Sequence, residues 1–266
     1  MPANQRDALT IDPNALNLER VATYRRRVKA SLSRVWENVL DWEHLPHLHD
    51  ASFNYCELDE VGAWGWRVWS DKDHDSHIEL CVDNDCYVAR SYKDGEQFSE
   101  IWTHLEPSGD STAIRVEFYS IGVTENNRDN MGQVYLGLYE TLWDEDEAMM
   151  CERQQRLEQS RDPRAEINLG SIAQLRESVP VSFELGRKEY RLSETPDGWV
   201  ATPTICPHLL GPLELSEQPG QLRCPWHGYV FDRQTGKCVS PADSRCSLGQ
   251  PPRILEQDDE LIVAIV

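Results

Sequence analysis

Cys206-Pro207-His208 and, after fifteen intervening residues, Cys224-Pro225-Trp226-His227 form the most informative stretch of this 266-residue sequence. Each half supplies one thiol and one imidazole on a short segment. Together they offer two thiolates and two imidazoles, a set of ligands suited to iron or zinc. The stretch therefore predicts a metal centre that is held between two loops.

Three interpretations of these two pairs are open. In a [2Fe-2S] centre of mixed ligation, one iron takes both thiolates and the other takes both imidazoles. A Cys2His2 zinc site is the second interpretation, although zinc modules usually pair Cys with Cys and His with His. The third is a coincidence of two buried cysteines with surface histidines. The pairing of Cys-x-His with Cys-x-x-His favours the iron-sulfur centre.

At these residues the chain resembles the Rieske family, and the run from Cys224 to Asp232 is similar to its oxygenase and ferredoxin branch. The resemblance implies a [2Fe-2S] cluster held by Cys206, His208, Cys224 and His227. Respiratory members of the family carry an extra cysteine in each ligand loop, and these two cysteines form a disulfide. Gly211 and Trp226 stand at those places here, so the resemblance implies no disulfide and a lower reduction potential.

The part of the chain before the motif contains both helical patterns and runs of short strands. Residues 1–17 are polar and without periodicity, and they are predicted to form an arm. Alternation from Arg20 to Lys29 predicts a first strand that is too polar to be central, and a serine-capped amphipathic helix is predicted over Leu32–Leu40. Short strands with turn signals follow between Phe53 and Ile121, and a long helix is predicted from about Asn130 to Ser160.

This order of elements resembles the helix-grip or START-like fold, in which a curved antiparallel sheet wraps around a long C-terminal helix. The domain is predicted to span residues 18–160, with a linker at residues 161–164. Short strands and Gly/Pro turns then continue to an apolar strand at residues 261–266, which predicts a small all-β domain over residues 165–266. The predicted fold class is α+β, with the START-like domain first and the Rieske domain last.

A second cluster of metal-binding side chains lies in Asp41-x-x-His44-x4-His49, within ten residues that hold three histidines and three acids. By composition alone, a solvated corner between helices is the better interpretation. The spacing, however, resembles the segment that supplies both histidines of the mononuclear iron in Rieske non-haem iron oxygenases. The resemblance implies that His44 and His49 bind this iron and that Asp41 links it to a Rieske centre by hydrogen bonds. His47 is out of phase with the pair and is predicted to lie beside the site or at the surface.

A 2-His-1-carboxylate site needs one acid, and the resemblance places it early in the last helix of the catalytic domain. The run from Asp144 to Glu147 offers four acids. Helical periodicity puts Asp146 on an apolar face, where a carboxylate without a partner would be costly. That face is formed by Tyr135, Tyr139, Leu142, Met149 and Met150. Asp146 is the predicted third ligand, with Asp144 as the alternative if the helix begins elsewhere, whereas Glu145 and Glu147 are predicted to face water.

The formal charge of −20 and the pI near 4.7 argue against nucleic acid or an anionic membrane as a partner. No apolar run has the length of a membrane span and the start lacks a secretory pattern, so a cytoplasmic location is expected. In a reducing compartment the cysteines outside the motif are predicted to be buried thiols. They are Cys56, Cys81, Cys86, Cys151, Cys238 and Cys246. Cys81 and Cys86 flank a turn-rich segment and are predicted to face each other across a hairpin, with a metal pair there as the weaker alternative.

Taken whole, the resemblance implies a terminal oxygenase component. Such a protein activates O2 at a mononuclear Fe(II) with electrons from the Rieske cluster, and it hydroxylates, dihydroxylates or demethylates an aromatic or other apolar small molecule. A reductase or ferredoxin would donate electrons, and a homotrimer is expected. The domain order is reversed relative to the usual oxygenase subunit, so electron transfer within one chain is the alternative. A second function of a different kind also fits these motifs. The chain could be a non-catalytic Rieske electron carrier joined to a ligand-binding START-like domain.

Overall fold

The computed structural model describes residues 17–265, so residues 1–16 of the predicted arm and Val266 of the predicted last strand lie outside the described residues. The chain divides into two compact units, Met1–Cys151 and Glu152–Val266. This division falls inside the long helix, whereas the predicted boundary follows it. Among the residues that the structure describes, no helix has both the length and the apolar character needed to cross a membrane.

The first unit combines a seven-stranded antiparallel sheet with three helices. Strand β1 (Glu19–Val28) precedes two short helices, α1 (Leu32–Leu40) and α2 (Leu45–Leu48). Six strands and one long helix follow. They are β2 (Glu57–Gly62), β3 (Gly65–Trp69), β4 (Ser76–Val82), β5 (Cys86–Lys93), β6 (Glu96–Ser108), β7 (Ser111–Ser120) and α3 (Arg128–Glu158). The predicted order of one strand, a short helix, a run of short strands and a long helix is confirmed, and the structure adds the one-turn helix α2.

The sheet has the strand order β1-β7-β6-β5-β4-β3-β2, so β1 lies at an edge, as its polar pattern predicts. Strand β7 alternates buried and half-buried positions along its whole length, the period of a strand with one face on a core. Between β5 and β6, Asp94 and Gly95 have φ angles of 51° and 79°. Two successive left-handed residues are what a two-residue type I′ hairpin requires.

Helices α1 and α3 cover the inner face of the sheet. Helix α1 begins after Ser31 and fully buries Val35. On α3, the rings of Tyr135 and Tyr139 lie 5.0 and 4.7 Å from the ring of Phe118 on β7, measured between centroids. A sheet that packs one face on a long final helix is the arrangement predicted from the order of elements, and the α+β fold class is confirmed.

The prediction that Cys81 and Cys86 face each other is wrong. Strands β4 and β5 do form a hairpin across the predicted turn, but its register pairs Cys81 with Val88. Cys86 lies opposite His104 on β6 instead. All eight cysteines are free thiols. Of the six outside the Rieske motif, Cys81 and Cys86 are buried and the other four are half-buried, so the prediction of six buried thiols holds for two of them.

The second unit is built from three small antiparallel sheets. Strands β8 (Glu166–Ser171), β16 (Arg253–Gln257) and β17 (Glu260–Ala264) form one of them. The second contains β9 (Val181–Leu185), β10 (Lys188–Thr195) and β11 (Gly198–Pro203). The third contains β12 (Glu214–Leu215), β13 (Gln221–Arg223), β14 (Val230–Asp232) and β15 (Cys238–Ser240). One short helix, α4 (Ile172–Ser178), interrupts the otherwise β-rich unit and was not predicted. Leu192, Leu261 and Val263 lie fully buried at the core of this unit.

Candidate metal centres

Two loops of the second unit carry the four side chains of the first motif. In each loop the N–H of the cysteine donates to the carbonyl oxygen of the residue five positions on, from Cys206 to Gly211 and from Cys224 to Tyr229, both at 2.8 Å. The two loops are therefore closed by the same bond. This repeated closure directs both cysteines to the interior.

The donor atoms of the two loops converge. The side chains of Cys206 and Cys224 are 0 % and 1 % exposed, and His227 is also buried. The rings of His208 and His227 lie 4.7 Å apart, centroid to centroid, and are nearly perpendicular. Two enclosed thiols beside two imidazoles fit the mixed ligation of a [2Fe-2S] cluster, in which one iron takes sulfur and the other takes nitrogen.

The protonation of the thiols also suits metal binding. A hydrogen bond from the Cys206 thiol lowers the pKa of Cys224 to about 5; burial opposes this shift, and His227 adds to it. The same hydrogen bond and burial raise the pKa of Cys206. The pair therefore holds one thiolate before any metal arrives, and thiolate is the form that binds metal.

Gly211 packs directly against the Cys224 sulfur and the Trp226 ring, with no room for a side chain. A Cβ atom at this position would lie 2.6 Å from the Cys224 sulfur and 2.9 Å from the Trp226 ring. No residue larger than glycine fits without movement of the loop. Gly211 and Trp226 thus pack together beside the sulfur of Cys224.

The second group of donors lies in the first unit, at the two ends of a one-turn helix. His44 is the residue before α2 and His49 the residue after it. The carbonyl of His44 accepts bonds from the N–H groups of His47 and Leu48, which closes the turn. The rings of His44 and His49 consequently lie 5.1 Å apart. His47 is half-buried within the turn and is not part of the converging group.

Asp146 on α3 meets both histidines. One of its carboxylate oxygens lies 3.0 Å from Nε2 of His49 and 3.5 Å from Nε2 of His44. His44, His49 and Asp146 are 3 %, 2 % and 8 % exposed, and their donor atoms all lie within 4.8 Å of one another. Two neutral imidazoles and one carboxylate that converge from one side are the donor set of a 2-His-1-carboxylate facial triad, which binds non-haem Fe(II).

The other three acids of the run have different partners. Asp144 accepts from Nη1 of Arg26 at 2.6 Å and is exposed, so the structure brings Asp146 rather than Asp144 to the histidines. Glu147 accepts from the same guanidinium at 2.9 and 3.1 Å, and an oxygen of Glu145 lies 2.6 Å from Nδ1 of His49. The prediction that Glu145 and Glu147 face water is wrong, because each carboxylate binds a cationic or hydrogen-bonding side chain from another element.

Arg26, Glu145 and Glu147 were therefore missed from the sequence. A signal exists for Arg26, because it lies two positions before the fully buried Val28 on β1 and so shares its inner face, where a cation needs an acid. No comparable signal exists for Glu145. Its role depends on where α2 lies relative to α3.

The carboxylates control the protonation of His49. Burial by itself lowers the pKa of His49, but the hydrogen bonds and charges of Asp146 and Glu145 outweigh it, and the pKa is raised above its usual value. Metal binds the neutral imidazole, so a proton on this ring competes with the metal. Once it is released, a hydrogen bond between Nδ1–H and Glu145 leaves Nε2 with its lone pair towards Asp146.

Asp41 lies on the other side of His44. Its Oδ2 atom is 3.8 Å from Nδ1 of His44, and its Oδ1 atom accepts from the N–H of Glu43 at 3.1 Å. The first distance is that of an ion pair rather than of a hydrogen bond. Asp41 is thus held by the backbone next to the outer nitrogen of a predicted ligand.

Aromatic side chains surround the histidine–carboxylate group. The Phe53 ring lies 6.3 Å from the ring of His49. Burial raises the pKa of the Tyr87 and Tyr139 phenols, and the charge of Asp146 raises both further, so both remain protonated at neutral pH. Both phenols are therefore uncharged neighbours of the histidine–carboxylate group.

Comparison with known proteins identifies the second unit. Residues 166–252 match the family model of the Rieske [2Fe-2S] domain. Among solved structures, the ferredoxin of carbazole 1,9a-dioxygenase from Nocardioides aromaticivorans IC177 shares 21 % identity and a TM-score of 0.30, covering 38 % of this chain and 99 % of its own. No curated protein matches the chain.

Solved structures with a START-like fold resemble the first part of the chain. A START superfamily protein from Mycobacterium smegmatis shares 16 % identity and a TM-score of 0.40, covering 49 % of this chain and 99 % of its own. Norcoclaurine synthase from Thalictrum flavum shares 16 % identity and a TM-score of 0.39, covering 57 % of this chain and 97 % of its own. The family match places the Rieske domain last in the chain, after the sheet and the long helix, as predicted.

Proposed function

We propose that this chain, in which a START-like domain precedes a Rieske [2Fe-2S] domain, is a terminal oxygenase that acts on an aromatic or other apolar small molecule. The observation that carries the proposal is the convergence of His44, His49 and Asp146 in the first unit. Three residues with metal-binding side chains, each residue more than nine-tenths buried, have little purpose in a mere electron carrier.

Each centre has its own set of ligands in this proposal. Cys206, Cys224, His208 and His227 would hold the [2Fe-2S] cluster, and His44, His49 and Asp146 would hold a mononuclear Fe(II). When bound, the cluster supplies single electrons and the mononuclear iron supplies positions at which O2 and substrate meet. Hydroxylation, dihydroxylation and demethylation all belong to this chemistry.

The protein's own side chains prepare the second site in three ways. Glu145 orients the His49 ring through Nδ1, so that Nε2 points to Asp146. The fork of Arg26 binds the acids at positions 144 and 147, on both sides of Asp146, and so fixes the rotation of this turn of α3. The buried Tyr87 and the half-buried Tyr139 exclude water and favour an apolar substrate.

Asp41 is the proposed connection for electrons. Its carboxylate lies beside Nδ1 of His44, and its second partner in this proposal is a cluster histidine, His208 or His227. That histidine would come from a neighbouring chain in a homotrimer or from the same chain. A reductase or ferredoxin supplies the electrons to the cluster.

Counting iron and acid-labile sulfide on anaerobically purified protein tests the proposal. The oxygenase has about three irons and two sulfides per chain, whereas the carrier alternative has about two of each. A count that stays at two irons after loading with excess Fe(II) would leave only the electron carrier. The visible spectrum of the protein as purified separates the cluster, which absorbs visible light, from a Cys2His2 zinc site, which does not because Zn2+ is d10.

A further inference from the structure

A small cavity lies beside the Cys206 loop, wholly within the second unit. Its volume is about 170 Å³. That volume is below the usual range for drug-sized ligands but sufficient for a few heavy atoms. The apolar part of its wall is formed by Pro203, Ile205, Pro207, Leu210 and Leu248, and Cys206 itself also lines it.

One wall carries the half-buried Arg161, two of whose guanidinium nitrogens have no partner among the residues that the structure describes. The Nε and Nη2 atoms of Arg161 are buried, and neither makes a hydrogen bond. Arg164, three residues further on, instead pairs with the Asp162 carboxylate. A guanidinium is always protonated, and a buried cation without a partner is unfavourable. The shape of Arg161 suits an oxyanion that accepts from two N–H groups at once.

A second cation, one acid and Ser247 complete the polar lining, and the Ser247 hydroxyl already donates to the carbonyl oxygen of Gly236 at 3.0 Å. Nζ of Lys188 donates to the carbonyl oxygen of Leu248 at 2.7 Å, which holds its charge at the cavity wall. The carboxylate of Glu189 accepts from Oγ1 of Thr204 at 2.7 Å and is thereby occupied. The lining thus has two positive charges against one negative charge, and its remaining polar capacity belongs to Arg161.

We propose that this cavity binds a small apolar monocarboxylate, with the carboxylate on Arg161 and the hydrocarbon part against the proline and leucine side chains. Five apolar residues in the wall favour a carboxylate with a short apolar tail over a fully hydrated anion such as phosphate. The proposal concerns the Rieske domain alone and stands or falls independently of the mononuclear iron.

The site has a redox consequence because Cys206 belongs both to the cavity wall and to the ligands expected for the cluster. A negative charge bound there opposes the addition of an electron to the cluster and lowers its reduction potential. By linkage, the oxidised protein binds the carboxylate more tightly than the reduced protein does. A small carboxylate would then adjust the driving force for electron transfer.

Reductive titration of the full-length holoprotein, followed by the visible spectrum of the cluster, tests this with sodium propionate as the probe. The potential is expected to fall in a saturable way with propionate and to stay constant with sodium chloride at equal ionic strength. Arg161→Gln is expected to need at least about tenfold more propionate for the same shift. Arg164→Gln, the matched control, is expected to respond as the unaltered protein does.

Leu248→Phe provides a second test, because it keeps both cations and fills the cavity. It is expected to lose the propionate response while retaining the cluster spectrum, and it carries the test if Arg161→Gln fails to retain the cluster. The proposal would be overturned if propionate left the potential of the unaltered protein unchanged. It would also be overturned if Arg161→Gln and Leu248→Phe both kept the saturable response of the unaltered protein. An equal response to inorganic phosphate would overturn the assignment to an apolar carboxylate.

Discussion

The two candidate metal centres are specified in opposite ways. All four donors of the Rieske motif lie in two short loops of one unit, and both loops are closed by the same backbone bond. The histidine–carboxylate site instead joins a one-turn helix to an acid that lies 97 residues later on a long helix. The first centre is a local motif, and the second exists only when sheet, α2 and α3 are in place. The two should therefore respond separately to substitution.

The largest effect is expected for Cys206→Ala. It removes a fully buried thiol from the ligand set, so the visible absorption of the cluster and the acid-labile sulfide should disappear. The second unit should also lose stability, since ligation is coupled to folding. Cys246→Ala, a half-buried thiol of the same unit, is the control and should keep both signals. A retained cluster spectrum in Cys206→Ala would remove this cysteine from the ligands.

Asp146→Ala should have the opposite selectivity, because it should affect the mononuclear iron site and leave the cluster intact. The cluster spectrum is expected to remain unchanged, while one iron per chain and all turnover are lost, because two imidazoles alone hold Fe(II) weakly. Iron analysis and single-turnover assays measure the two effects. Asp144→Ala removes the neighbouring acid that binds Arg26 and should keep the iron. If Asp144→Ala loses the iron and Asp146→Ala keeps it, the ligand assignment is reversed.

Asp41→Asn should affect the connection between the centres rather than either centre. Both metals are expected to stay, and the rate of electron transfer to the mononuclear iron should fall by roughly 10–100-fold, since the carboxylate beside His44 Nδ1 is lost. Stopped-flow reoxidation of the reduced cluster in the presence of substrate measures this rate. Glu43→Gln, which keeps the backbone N–H that binds Asp41, is the matched control. An unchanged rate in Asp41→Asn would end the bridging role.

The sequence predicts the local features of both sites well. The bounds of helix α1, the edge position of β1 and the run of short strands in the chain follow from periodicity and turn signals, whereas the Ser31 side chain makes no capping hydrogen bond, contrary to the prediction. Helical spacing also places Asp146 on the buried face of α3, next to Met149 and Met150. Each of these inferences uses only neighbours in the sequence, for which backbone geometry fixes the spacing.

Features that depend on register between distant elements escaped prediction. Cys86 does not face Cys81, because the β4–β5 pairing places Val88 there. Arg26 on β1 binds acids of α3 across 118 and 121 positions. The strand pattern places Arg26 on the inner face, but it does not reveal which acids Arg26 meets. An acid-rich run on a helix usually faces solvent, and only tertiary structure shows that this one is divided between a histidine and an arginine.

Glu145→Gln should have the smallest effect and provides the sharpest test of that division. The amide retains the size of the side chain and can still bond Nδ1 of His49, but it no longer carries the negative charge that makes the ring a better donor to metal. Fe(II) affinity is expected to fall by about tenfold, with the cluster and the free energy of unfolding nearly unchanged. Equilibrium competition with a chelator measures the affinity. Glu140→Gln, an exposed acid on the same helix, should leave it unaltered. Equal affinities for the two variants would mean that Glu145 only covers the histidine, and that the second centre, like the first, depends on its ligands alone.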